Sequence, residues 1–137
     1  MVEYHIYNED LRDISIADGF WEYWPTHPDK TTHREILANS YKAIVAIEHD
    51  EIIGFITIIS DGIISAYIPL LEVIPSYRGQ GIGRRLVELA MKEMENIYML
   101  DLSCDSNLVD FYEKFGMNKT NAMIKRNYAS QSGKNNN

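Results

Sequence analysis

Over Val2–Tyr7 the apolar residues Tyr4 and Ile6 alternate with polar neighbours, the pattern of a half-buried strand. Leu11, Ile14 and Ile16 give Asn8–Asp18 partial helical spacing, so a short helix is expected there. Gly19–Lys30 contains Phe20, Trp21, Tyr23, Trp24, Pro25 and Pro28 and is too proline-punctuated to be regular. Thr32-His33-Arg34-Glu35 has the capping-box pattern, which predicts a helix from Thr32 to about Ser40. The centre reads as strands. Ala43–Glu48, Ile52–Ser60 and Ile63–Val73 are rich in Ile, Val, Phe and Tyr, and Asp61-Gly62 between the last two is a hairpin signal. An antiparallel meander follows. Beyond Pro75 the period lengthens: Leu86, Leu89, Ala90 and Met94 predict a helix from near Gly81 to about Asn96. Tyr98–Ser103 is a further strand. Leu108, Phe111, Tyr112 and Phe115 then line one face of a short helix ended by Gly116. Asn118–Tyr128 is expected to return as a last strand. The order β-α-α-β-β-β-α-β-α-β predicts an α/β fold, a mixed sheet covered by helices. One domain spans 1–129, and 130–137 is a polar tail expected to be disordered.

Composition narrows the class. The chain has 137 residues, of which 45% are hydrophobic and 24% charged, an ordinary globular balance with room for one core. Cys104 is the single cysteine, so no intrachain disulfide forms. Met1-Val2-Glu3-Tyr4-His5 lacks the basic start and apolar run of a secretion signal, and no apolar stretch is long enough to span a bilayer. A cytoplasmic protein with no membrane partner is expected.

Thirteen Lys and Arg against 20 Asp and Glu give a net charge of −7, which disfavours nucleic acid as a partner. The charge is uneven. Residues 74–92 carry Arg78, Arg84, Arg85 and Lys92 against Glu88, a local +3 interleaved with glycines. There a strand ends at Val73, Pro75 stops the ladder, and Arg78-Gly79-Gln80-Gly81-Ile82-Gly83 leads into a helix. The first N–H groups of such a helix have no internal partner and, with its dipole, attract an anion. A dinucleotide fingerprint starting at Gly79 would need glycine where Arg84 stands. The lysine-bearing phosphate loop of nucleotide hydrolases does not occur either. The histidines and Cys104 show no metal-ligand spacing, so no metal is expected. Cys104 has no histidine nearby in sequence to activate it and reads as a small buried residue.

Arg78-x-x-Gly81-x-Gly83 after that strand resembles the coenzyme-binding motif of the GCN5-related N-acetyltransferases (GNAT superfamily). Asn107-Leu108-Val109-Asp110-Phe111-Tyr112-Glu113-Lys114-Phe115-Gly116-Met117 is similar to that family's F-Y-x-x-x-G-F helix. The order of elements matches as well, and residues 43–117 carry the resemblance. It implies a small single-domain N-acetyltransferase that uses acetyl-CoA as cosubstrate. The coenzyme-binding residues it implies are Leu71, Val73, Arg78, Gly79, Gln80, Gly81, Ile82, Gly83, Arg84 and Asn107. In the family the strand before the loop opens at a bulge, and free backbone amides, here at Leu71–Val73, bind the pantetheine arm and the acetyl carbonyl.

Tyr112 matches the tyrosine placed beside the coenzyme sulfur, where it would act as general acid; by spacing alone it is one more core residue of its stripe. Glu72, Asp101, Asp105 and water remain alternatives for the base, with Glu72 beside the expected acetyl position. Asp105 stands seven residues before Tyr112, where many members have asparagine. Trp21 and Trp24 are the candidates for acceptor binding, or equally for capping the core. The acceptor is expected to be a small-molecule or peptide amine, and dimers are common in the family, so a homodimer is open to it. Two other readings stay open: a module that binds acyl-CoA without turnover, and an unrelated phosphoanion-binding α/β protein.

Overall fold

The two most apolar runs become the central strands of the sheet. In the computed structural model, which describes residues 1–134, β3 (Lys42–Glu48) and β4 (Glu51–Ser60) pair antiparallel. The turn between them places His49 and Asp50 in the left-handed region, at φ 53° and 60°, the backbone that suits a two-residue hairpin. β1 (Glu3–Ile6) runs antiparallel along β3, and β2 (Ser15–Ile16) pairs parallel with the start of β4. Beyond β4 the apolar run breaks at Pro69, which cannot donate to a ladder. β5 (Ser65–Tyr67) pairs with the end of β4, and β6 (Leu71–Val73) pairs with its middle. The register shifts by one residue between Tyr67↔Ile59 and Leu71↔Ile56, so this strand carries a bulge. β7 (Met99–Asp101) is parallel to β5 and ends the order β1-β3-β4-β5-β7 among the described residues.

Helices cover both faces, which is why β3 and β4 are apolar at consecutive positions rather than alternating ones. Gly54 faces α2 (Ile82–Glu93); a Cβ there would come within 3.3–3.4 Å of Val73 and Ile82, so glycine lets the helix sit close. The next residue, Phe55, points to the other face. There its ring lies 4.5 Å from that of His33 on α1 (Lys30–Asn39) and 5.4 Å from Phe20. Leu86, Val87 and Ala90 of α2 are fully buried, matching the helical period in the sequence. α3 (Val109–Glu113) is short, preceded by a 3₁₀ turn at Ser106–Leu108.

The mixed α/β class follows as expected, and four elements differ in detail. Asn8–Asp18 is a 3₁₀ turn at Glu9–Leu11 followed by β2, because its apolar spacing is too sparse to bury a helical face. α1 starts two residues before Thr32: Asp29 is the N-cap and its carboxylate accepts the Thr32 N–H at 2.8 Å. The single strand expected over Ile63–Val73 is two strands. Asn118–Tyr128 forms no strand, and its residues are all exposed. Of the tail expected to be disordered, Ser130–Lys134 is described and Lys134 Nζ lies 2.7 Å from Asp29; the rest lies outside the described residues.

Candidate active site

The bulge makes the site. β7 follows β5 only as far as the bond from Ile68 N–H to Asp101 O, while β6 stays with β4, so the sheet opens between β6 and the chain after Asp101. Ile74 donates to Ile53 O and Thr57 donates to Leu70 O. Alternation along an antiparallel ladder therefore turns the peptide groups of Leu70, Glu72 and Ile74 toward β4. Those of Leu71 and Val73 face the opening. The resemblance implied free amides at Leu71–Val73; the register leaves those at Leu71 and Val73, with the Glu72 amide committed to the ladder.

Next to this opening, Gly79 and Gly81 adopt φ 76° and 81°, and a Cβ on either would meet nothing within 4 Å. Gly81 caps α2 with no side-chain hydrogen bond, and the first internal bond runs from Arg85 N–H to Gly81 O at 3.0 Å. The amides of Ile82, Gly83 and Arg84 thus point out of the helix start over an unobstructed turn. Arginine charge is less free here than the sequence suggests. Arg84 and Arg85 both pair with Glu88, at 3.2 and 3.3 Å. Arg78 donates from Nε to Val73 O at 3.0 Å and from a terminal nitrogen to Glu22 at 2.7 Å. It thereby ties the end of β6 to the aromatic segment.

That segment is fastened a second time, where the Glu72 carboxylate accepts the Trp21 N–H at 2.8 Å. Trp21 and Tyr23 both have positive φ, at 66° and 68°, uncommon for bulky residues and maintained by such contacts. Trp21 is buried against His33 and Trp24, with ring centroids 5.0 and 4.9 Å away. Two adjoining cavities result. One of about 360 Å³ is lined by Glu22, Trp24, Leu71, Glu72, Arg78 and Asp105 among others. The other, about 450 Å³, lies among Trp21, Trp24, Ile36, Leu70, Arg126 and Tyr128. Trp24 and Leu70 belong to both.

Glu72 is half-buried, and burial raises its carboxyl pKa above the ordinary value; the Trp21 amide and Arg78 oppose that rise. Tyr112 is buried on α3 and its hydroxyl is pushed up to about 12, first by burial and then by the neighbouring Cys104. Cys104 itself is exposed, contrary to the sequence reading, because the chain leaves the sheet just before it. Tyr112 lines neither cavity; Asp105, the chain neighbour of the nearby Cys104, lines the smaller one. Asn107 is exposed on the 3₁₀ turn before α3. The structure thus gathers Leu71, Glu72, Arg78, Trp21 and Trp24 around one cleft, with Gly79–Arg84 beyond it as a separate cradle. Sequence reasoning missed Glu22, whose partner is 56 residues away, and the cavity-lining role of Arg126–Tyr128, read as the end of a last strand, and of Ser130 and Gln131, read as polar tail.

A family model described as an acetyltransferase (GNAT) domain matches residues 14–130. The chain belongs to the GNAT acetyltransferase family. A crystal structure of a protein from Deinococcus radiodurans R1, assigned as an acetyltransferase, superposes with a TM-score of 0.88 at 37% identity, covering 96% of this chain and 92% of that one. GCN5-related N-acetyltransferase 2, chloroplastic, of Arabidopsis thaliana is 35% identical over 71 residues, 50% of this chain; the match spans only 28% of that relative. Glucosamine-6-phosphate N-acetyltransferase from Arabidopsis thaliana shares the fold, with a TM-score of 0.67 at 18% identity over 93% of this chain and 98% of that one.

Proposed function

We propose that the protein transfers an acetyl group from acetyl-coenzyme A directly to a primary amine. The observation that carries this reading is the opened strand. The Leu71 and Val73 peptide groups face a gap flanked on one side by the bare start of α2 and on the other by Glu72. Acetyl-CoA supplies an acetyl group activated as a thioester. The residues present fit it: amides at Ile82–Arg84 and the open turn at Gly79 and Gly81 suit a pyrophosphate, as backbone donors at a helix start do. Leu71 N–H would hold the acetyl oxygen as negative charge develops there, the kind of fixed donor that dominates acyl transfer. Glu72, with its raised pKa, would take a proton from the incoming amine, directly or through water. Tyr112, protonated throughout the working pH range, would return one to the departing sulfur. Arg78 serves this reading as a clamp on the cleft, and phosphate contact falls to the backbone.

The larger cavity favours an acceptor whose amine sits on an apolar body, since Trp21, Trp24, Ile36, Leu70 and Tyr128 supply its walls. Release of CoA thiol across a library of amines tests the function, with products read by mass shift. Acetylated products with stoichiometric thiol support it. Tight acetyl-CoA binding without release against every amine class would instead establish a binding module.

A further inference from the structure

The two adjoining cavities carry opposite charge. In the smaller one Glu22 and Arg78 neutralise each other at 2.7 Å, which leaves the carboxylates of Glu72 and Asp105. The Asp105 side chain makes no hydrogen bond or ion pair among the described residues. The larger cavity has no acidic residue in its lining, and the charged group there is Arg126, which has no carboxylate partner among the described residues.

Arg126 belongs to a wall that is fastened in place. Asn127 accepts the Ala129 N–H at 3.2 Å and caps the 3₁₀ turn Tyr128–Ser130, and a few residues further on Lys134 Nζ lies 2.7 Å from Asp29. Trp21, Trp24, Ile36 and Leu70 face this wall across the cavity. A guanidinium bordering apolar walls meets an anion in a lower dielectric than open water, and its planar fork suits a carboxylate. Trp24 and Leu70 line both cavities, so one ligand can reach across them. Volumes of about 360 and 450 Å³ are those of sites for small molecules. Such a ligand meets negative charge at the Glu72 end and positive charge at the other.

We propose that the acceptor is a small molecule charged at both ends: its amine at Glu72, an apolar or aromatic body along Trp24 and Leu70, and a distal carboxylate on Arg126. The choice of the amine end rests on the acetyl transfer proposed above. One guanidinium without a second cation matches the single charge of a carboxylate, which it binds through two parallel N–H donors. The same charges disfavour an α-amino acid, whose carboxylate adjoins its amine and would stand against Glu72 and Asp105. Arg126 is thereby the residue that sets acceptor specificity.

Three probes with one phenethyl body separate these cases: phenethylamine, para-(aminoethyl)benzoate with its acid at the far end, and phenylalanine with its acid beside the amine. Binding is read from the fluorescence of Trp21 and Trp24, the chain's two tryptophans, both of which line the larger cavity, with free CoA present. The benzoate is expected to bind about 5-fold more tightly than phenethylamine, the scale of a partly exposed ion pair, and phenylalanine more weakly than either. Added salt should shrink that preference. In Arg126→Gln the benzoate should bind no more tightly than phenethylamine, whereas Arg126→Lys, which keeps the charge, should retain part of the preference. Equal binding of the three probes, binding of none, or a preference that survives Arg126→Gln would overturn the proposal. Thiol release from acetyl-CoA is measured with the same probes. Release without the benzoate preference would leave acetyl transfer standing and remove this acceptor class; the preference without release would do the reverse.

Discussion

The Glu72 carboxylate accepts the Trp21 amide while facing the cleft, so the side chain that fastens the aromatic segment is also the proposed base. Two substitutions separate these roles. Glu72→Gln keeps an oxygen for Trp21 N–H and loses the base. Its kcat is expected to fall about 100-fold with little change in acceptor KM, the lower range for a general base. It should also lose the rise of rate with pH, which in the native enzyme lies above the ordinary carboxylate value because burial raises Glu72. Glu72→Ala releases Trp21 as well, and acceptor KM should rise in addition. Equal kinetics for the two variants would leave Glu72 a fastener only. Tyr112 poses a simpler question, since among the described residues its hydroxyl has no hydrogen-bond partner and stays protonated. Tyr112→Phe should lower kcat about 100-fold while acetyl-CoA binding, measured by calorimetry, stays near native. Equal loss of both would remove the acid assignment.

At the scale of elements, what the sequence made legible is what local pattern decides. Leu86, Leu89, Ala90 and Met94 recur at helical spacing because α2 lies on the sheet with one face, and β3 and β4 are continuous apolar runs because both faces are covered. The glycines before α2 were readable for the same reason, since their geometry is local. Gly81 has φ 81° with open space around it; glutamate there would add backbone strain and a negative charge at the amide cradle. Gly81→Glu should weaken acetyl-CoA binding by about 100-fold or more. Gly81→Asn, which tolerates this backbone, should retain most of it; equal loss in both would indicate strain and not an anion site. Other elements depended on distant partners. β2 has only two residues and exists because Ile16 can pair with Ile52, and the Arg78–Glu22 clamp joins segments 56 residues apart. Pro69 was a readable sign of the break between β5 and β6 that the apolar run around it masked. Asn118–Tyr128 has the length of a strand but only Met123 and Ile124 as large aliphatic anchors, too few to bury one face of a strand.

Across the whole molecule, the aromatic segment, α1 and the sheet meet at one point, the ring of His33. It lies 5.1 Å from Phe20, 5.0 Å from Trp21 and 4.5 Å from Phe55, almost wholly buried, with Nε2 unpartnered among the described residues. Burial lowers its pKa from 6.5 to about 4, so the folded protein holds this ring neutral where the unfolded chain protonates it. The unfolded state then binds the extra proton first as pH falls. Stability from this site is therefore full above about pH 6.5, declines between there and about pH 4, and is constant below. The span corresponds to about 3 kcal/mol, at about 1.4 kcal/mol for each pH unit of difference. His33→Leu removes the proton and keeps an apolar side chain of similar size, so stability at pH 7.5 should change by no more than about 1.5 kcal/mol. Urea unfolding from pH 7.5 to 4 should then show the native protein losing ground that the variant keeps. Carboxylates common to both, such as Asp29, lower the two curves together and cancel in the difference. Parallel curves would mean that His33 is protonated without cost, and that the point where segment, helix and sheet meet is open to water.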